Sequence, residues 1–136
     1  KGHGLMNNHP YSEIRFKSAN ENISKLKVIL KSGNLTDFCE LVENEALTLH
    51  ALMMTSSPSY ILMKPNTLQV ITMVREFRIK QNIPVCFTLD AGANIHLLYP
   101  KLFSEKISDF INNDLMVFCE NKTYIDDCIG KGPFQI

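Results

Sequence analysis

The stretch CFTLDAGANIHLLYP, residues 86–100, places one carboxylate, that of Asp90, between two apolar segments. Residues 83–90 are rich in β-branched and aromatic side chains and predict a buried strand, and residues 94–100 predict a second one. The short Ala-Gly-Ala-Asn link between them contains glycine, which is typical of an antiparallel hairpin. The sequence therefore predicts a carboxylate at the tip of a hairpin.

Helical periodicity dominates the chain before the hairpin. One apolar series begins after Pro10 and ends at Gly33, a plausible C′ residue. Asn34 is a suitable N-cap for a second helix, and Pro65 opens a third helix that ends in the polar RIKQN segment, residues 78–82. Because the Gly-Asn connection is so short, the first two helices should pack antiparallel.

The faces that these helices should bury follow from i, i+3/i+4 spacing. The predicted apolar positions are Ile14, Ala19, Ile23, Leu26 and Leu30 in the first helix, Leu35, Phe38, Val42, Ala46, Leu49 and Met53 in the second, and Val70, Ile71, Val74 and Phe77 in the third. A fourth helix is marked by Phe103, Ile107, Phe110 and Ile111, and residues 123–133 predict one more short strand. This order predicts an α+β fold in which helices pack on one face of an antiparallel sheet, around one shared core.

Composition excludes several classes of protein. The 136 residues make one domain, and 14 basic and 14 acidic residues cancel without a basic stripe, which argues against nucleic acid as a partner. No apolar run approaches the length of a membrane span. The cysteines, Cys39, Cys86, Cys119 and Cys128, form no CxxC pair or zinc-spaced cluster, so we expect reduced thiols, no metal site and a cytoplasmic protein.

Asp90 has two interpretations from the residues alone. Either it caps its own turn, as turn aspartates do, or it is a catalytic carboxylate beside Ala91 and a Gly92 that permits positive φ and close approach of a ligand. His50 and His96 are expected to be hydrogen-bonded structural residues; a metal site that they form with Asp90 stays open, but no spacing supports it.

Motifs for nucleotide phosphates and for acyl transfer are missing from the 136 residues. The GKGP segment, residues 130–133, lacks the first glycine and the Ser/Thr of a Walker loop, and no GxSxG motif occurs. A self-sufficient enzyme is therefore hard to build from these residues.

The FTLDAGAN segment, residues 87–94, resembles the aspartate-bearing hairpin of the diphosphomevalonate decarboxylase family, in the GHMP kinase superfamily, which typically reads Asp-Ala-Gly-Pro-Asn. Residues 43–78 are similar to the family's His-Ala helix, Pro-containing loop and long helix, and residues 1–16 to its Gly-Met loop and following helix. Sister kinases usually carry Gly-Ala-Gly at this hairpin, so the acid favours the decarboxylase family.

This resemblance implies a function. Family members use ATP and Mg²⁺ to convert mevalonate 5-diphosphate to isopentenyl diphosphate, phosphate, ADP and CO₂, and the signature aspartate, here Asp90, acts as base on the tertiary hydroxyl. It also implies substrate contacts from Ala91, Gly92, Gly4 and Met6, and we expect a homo-oligomer that binds neither nucleic acid nor membrane. The alternatives are another GHMP small-molecule kinase or a non-catalytic binding domain with the same fold.

The sequence departs from the family pattern in two ways. Ala93 stands where proline is usual, which predicts a less rigid turn. The family's ATP-binding loop lies N-terminal to anything present, so residues 1–136 are expected to be a C-terminal GHMP-type domain without its N-terminal ATP-binding domain. We expect these residues alone to bind no cofactor and to be inactive.

Overall fold

A computed structural model describes residues 9–130 of the chain. Within this range four α-helices and a two-stranded sheet follow one another as α1 (Ser12–Ser32), α2 (Leu35–Thr55), α3 (Pro65–Gln81), β1 (Cys86–Leu89), β2 (Ile95–Leu98) and α4 (Ser104–Phe110). A π-helical turn at Ile111–Leu115 and 3₁₀ turns at Lys101–Phe103, Met116–Phe118 and Glu120–Lys122 complete the helical segments. Helices that pack against a small antiparallel sheet confirm the α+β class.

The helices begin and end where local sequence signals predict. Gly33 adopts φ 71° after α1, and its N–H donates to the Ile29 carbonyl oxygen, as in a left-handed C-cap. The Asn34 side chain accepts the N–H of Asp37 at the start of α2. Pro65 is the first residue of α3, where its missing N–H leaves no internal bond unmade. The αα-hairpin is thereby fixed by a two-residue connection.

Strand β1 is the most deeply buried segment of the described chain. Val85, Cys86 and Phe87 are fully buried, and β1 pairs antiparallel with β2, with Thr88 opposite His96. The core is apolar and comes from α2, α3, the segment before β1, β1 itself, α4 and the π-helical turn: Ala46, Val70, Ile71, Val74, Ile83, Val85, Phe87, Leu89, Ile107, Phe110, Ile111 and Leu115. Burial of each large side chain contributes about 1.5–3 kcal/mol. The hairpin prediction and the predicted face of α3 are confirmed.

Helix α1 differs from the prediction because it buries no residue. Phe16, Ile23 and Leu30 lie on one side of the helix and stay 53–63% exposed. Polar contacts hold α1 instead: Glu45 of α2 accepts Arg15 Nη2 and Asn22 Nδ2, each at 2.6 Å. The expectation that all four helices share one core is therefore wrong for α1, whose apolar residues are exposed or at most half-buried.

Helix α2 buries a face that the apolar pattern did not predict. Its buried residues are Cys39, Glu43, Ala46, His50 and Leu52, of which Ala46 alone belonged to the predicted series. Three of the five, Cys39, Glu43 and His50, are titratable, and each has a specific partner across the fold. Polar pairing rather than apolar periodicity decides which side of α2 faces the strand.

The predicted strand over residues 123–133 is also wrong for the part that the structure describes. Residues 123–130 are exposed and have no strand partner, and residues 131–133 lie outside the described range.

Among residues 9–130, no helix has both the length and the apolar character that crossing a bilayer requires.

Glu43 connects three elements through two arginines of α3. Its carboxylate accepts Arg75 Nε at 3.1 Å and both terminal nitrogens of Arg78, and Arg78 Nη1 also donates to the Val85 carbonyl oxygen at 2.9 Å. The hydrogen bond to Glu43 raises the pKa of Arg78, so the guanidinium stays charged. The network joins α2, α3 and the residue that precedes β1.

Two buried thiols lie beside this network, Cys39 on α2 and Cys86 on β1. A hydrogen bond from Cys86 lowers the pKa of the Cys39 thiol to about 7, although burial raises it. The positive charge of the nearby Arg78 also lowers this pKa. The pKa of Cys86 is raised by Cys39 and by burial.

Replacing Glu43 tests the network. Glu43→Ala leaves two guanidinium groups without their carboxylate, and breaking a buried pair costs about 3–5 kcal/mol. Because the Arg75 and Arg78 side chains keep 44% and 26% exposure, we expect the lower end, about 3 kcal/mol, in urea unfolding. The matched control, Glu40→Ala at an exposed position of α2, should stay within about 0.5 kcal/mol. Equal losses for the two variants would contradict a special role for Glu43.

Candidate active site at the hairpin tip

Asp90 directly follows β1, and its side chain is 93% exposed. Because Thr88 pairs with His96, the alternation of side chains along a strand puts Thr88, Asp90 and His96 on one face of the hairpin. His96 Nε2 lies 3.7 Å from Asp90 Oδ2, within ion-pair distance when the imidazole is protonated. The hairpin tip thus presents a carboxylate and an imidazole side by side to solvent.

Buried side chains from two helices bind the main chain of the turn. His50 Nε2–H of α2 donates to the Asp90 carbonyl oxygen at 3.0 Å, and this oxygen also accepts the Gly92 N–H at 2.7 Å. Thr67 Oγ1 of α3 donates to the Ala93 carbonyl oxygen at 3.0 Å. Both ends of the turn are therefore bonded to the helical layer.

Gly92 does not use the conformational freedom that the sequence suggested. Among the described glycines, Gly33 is the one with positive φ, so the turn does not need glycine for its backbone conformation. A Cβ atom added at Gly92 would meet nothing within 4 Å. The space beside the turn is open, which leaves room for a ligand to approach the main chain.

The structure bears differently on the other residues predicted for the site and on the metal alternative. Ala91 and Gly92 lie in the turn beside Asp90, whereas Gly4 and Met6 lie outside the described residues. The open metal alternative is not assembled, since the Nε2 of His50 is bonded to a main-chain carbonyl. Over residues 9–130 no three His, Cys, Asp or Glu side chains come together in a way that would hold a metal ion.

Thr67 is the residue at this site that the sequence reasoning missed. Its hydroxyl accepts the Lys64 N–H at 3.2 Å, which closes the first turn of α3. A threonine three residues after the helix N-cap, and two residues after Pro65, is a signal for such a local bond. The second bond, to the turn, has no sequence signal because its acceptor lies 26 residues away.

An open cleft of about 1000 Å³ lies at the other end of β1. Glu43, Arg75, Arg78 and Cys39 line it, together with residues 82–84, which precede the strand. Asp90 is not among its lining residues and faces solvent directly. A ligand at Asp90 would need further walls that residues 9–130 do not place around it.

Comparison with known proteins gives a consistent result. Residues 7–132 match the family model described as mevalonate 5-diphosphate decarboxylase C-terminal domain. Phosphomevalonate decarboxylase of Haloferax volcanii is 28% identical over 85 residues, which are 62% of this chain and 26% of that protein. The chain therefore spans about a quarter of the length of this curated relative.

Solved structures agree in fold. A mevalonate diphosphate decarboxylase from Legionella pneumophila superposes with a TM-score of 0.77 at 25% identity, over 84% of this chain and 36% of that one. The mevalonate diphosphate decarboxylase from Enterococcus faecalis, in a structure on mevalonate diphosphate mediated ATP binding, gives a TM-score of 0.76 at 24% identity, over 83% and 35%. The chain covers about a third of each solved relative.

A substitution at Gly92 tests the geometry of the turn. In Gly92→Ala the new Cβ meets open space, and the backbone has no left-handed φ. The substitution should therefore stabilise the fold by about 0.4–1 kcal/mol, because alanine lowers the conformational entropy of the unfolded chain. Gly33→Ala is the matched control, because at φ 71° the new Cβ should cost about 1–2 kcal/mol. Thermal unfolding measures both. A loss of more than 1 kcal/mol at Gly92 would mean that the turn requires glycine.

Proposed function

The chain belongs to the mevalonate 5-diphosphate decarboxylase C-terminal domain family, and from this premise we propose that it forms part of an ATP-dependent decarboxylase of mevalonate 5-diphosphate. The products are isopentenyl diphosphate, CO₂, ADP and phosphate. The observation that carries the proposal is the exposed Asp90 carboxylate on a firmly bonded hairpin turn whose sequence resembles the family signature.

Asp90 acts as general base on the tertiary hydroxyl of the substrate. An ionised carboxylate accepts the hydroxyl proton and raises the nucleophilicity of its oxygen toward the γ-phosphorus of ATP. Phosphoryl transfer depends chiefly on holding the attacking and leaving oxygens in line, so a fixed carboxylate contributes orientation as well as basicity. The phosphorylated hydroxyl then departs as phosphate, and the neighbouring C–C bond breaks to release CO₂.

ATP, with Mg²⁺ to neutralise its phosphates, is held by residues other than these 136. The sequence has no glycine-rich phosphate cradle, and the surroundings of Asp90 are open to solvent. A second, ATP-binding domain would supply the other walls of the site and exclude water from the reacting groups. Residues 1–136 then act as the C-terminal GHMP-type domain, and alone they fold without catalysing.

A second substrate has specific support. The curated relative from Haloferax volcanii is named for phosphomevalonate, which carries one phosphate fewer. The chemistry at the tertiary hydroxyl is the same for the two substrates, and discrimination rests on groups that bind the distal phosphate. Mevalonate 5-phosphate is therefore the alternative substrate.

Coupled assays on the intact protein that contains this chain test the function. We expect ADP and CO₂ to form in equal amounts from mevalonate 5-diphosphate and ATP. Turnover with the monophosphate alone would move the assignment to the alternative substrate. ADP without CO₂ would indicate a sister kinase, and no turnover with any small alcohol would indicate a non-catalytic domain.

For residues 1–136 alone, ATP should leave the midpoint of thermal unfolding unchanged, because a ligand that bound would stabilise the fold.

Asp90→Asn tests the role of the carboxylate. The amide keeps the shape but cannot accept the hydroxyl proton, so kcat should fall by roughly 10²-fold or more while KM changes little. Asp109→Asn at an exposed position of α4 is the matched control and should leave both constants unchanged. A near-normal kcat for Asp90→Asn would restore the interpretation of Asp90 as a turn aspartate.

A further inference from the structure

Asp90 needs a fixed position, yet its side chain is almost fully exposed and packs against little. We propose that His50 and Thr67 are positioning residues, which hold the carboxylate of Asp90 in place by binding the main-chain carbonyls at the two ends of its turn. The proposal rests on the function assigned to Asp90 above. It adds two residues, one from α2 and one from α3, to those on which the reaction depends.

The bond from His50 is directional and buried. A carbonyl oxygen only accepts, so the imidazole carries its proton on Nε2 toward Asp90. His50 is 1% exposed, and loss of this bond would leave a buried donor without a partner, which is costly. Because the bond ends on the main chain of Asp90 itself, it restrains the backbone from which the catalytic side chain extends.

The bond from Thr67 is equally well defined. Its hydroxyl has a single proton, and the Lys64 N–H already donates to its oxygen, so that proton points to the Ala93 carbonyl. Thr67 is 3% exposed. A turn attached at residues 90 and 93 to two different helices cannot rotate about either attachment. This restraint acts in a turn that has alanine, not proline, at residue 93.

The functional consequence follows from the geometry of phosphoryl transfer. A displacement of about 1 Å at a reacting group can lower the rate by about 10²-fold. His96, at 3.7 Å and half exposed, holds the carboxylate only weakly. The orientation of Asp90 therefore depends on its main chain, and the two buried hydrogen bonds set that main chain.

Variants of the intact protein test the proposal. His50→Leu and Thr67→Val remove the donors and keep most of the volume, and each should lower kcat by about 10-fold with KM unchanged. His50→Gln and Thr67→Ser keep a donor and should recover most of the rate. If His50→Leu fails to fold, the Thr67→Val and Thr67→Ser pair carries the test.

A double-mutant comparison separates positioning from general stability. In the Asp90→Asn background the two substitutions should lower kcat no further, because the group that they position has lost its function. Losses that multiply in that background would overturn the proposal. Thr72→Val on α3 is the matched control, since this exposed hydroxyl bonds the Leu68 carbonyl of its own helix; its kcat should match the wild type.

Amide hydrogen exchange of the peptide covering residues 90–94 gives a readout without substrate. His50→Leu and Thr67→Val should accelerate exchange there, the Gly92 N–H included, and Thr72→Val should not. Unchanged exchange in both variants would overturn the proposal even in an active enzyme. If the wild type turns over neither mevalonate 5-diphosphate nor mevalonate 5-phosphate, the proposed function fails. Faster exchange in His50→Leu and Thr67→Val would still establish the two bonds as the restraint on the turn.

Discussion

Burial of the Glu43 carboxylate requires cationic partners, and both arginines that meet it come from α3. This requirement fixes α3 against α2, and Arg78 extends it to the carbonyl of Val85, where the chain enters β1. His50 lies seven residues after Glu43, two turns along the same side of α2, and bonds the chain where it leaves β1. Helix α2 thus holds β1 directly where the strand ends and through Arg78 of α3 where it begins, and apolar packing fills the space between.

The features that the sequence predicted correctly are those with local causes. The hairpin, the left-handed Gly33 and the Asn34 cap each follow from residues within a few positions of one another. The buried face of α2 was not predictable in this way. Arg75 and Arg78 lie 32 and 35 residues from Glu43, and Asp90 lies 40 residues from His50, so single-sequence periodicity cannot indicate that these polar residues turn inward.

The candidate site shows the same division between local and long-range causes. The place of Asp90 at the hairpin tip follows from the strand pattern, and its proposed role follows from the family signature. The bond from Thr67 to Ala93 depends on how α3 approaches the turn, which no local pattern contains. Helix α1 has good periodicity, but periodicity states which residues share a side and not whether anything covers that side. The structure leaves that side of α1 open.

Helix α1 is attached to the rest of the molecule in a different way from the other helices. Its side-chain hydrogen bonds to α2 are those of Arg15 and Asn22 to Glu45, and it adds no buried residue to the core. The Arg15 and Glu45 side chains keep 15% and 30% exposure, so mobile ions screen their attraction in part, whereas they leave apolar burial around β1 intact. We therefore expect rising ionic strength to weaken the attachment of α1 more than the packing of β1 against the other helices, so that α1 is the first helix to open. The order in which the parts of the chain unfold would then depend on the salt concentration as well as on the sequence.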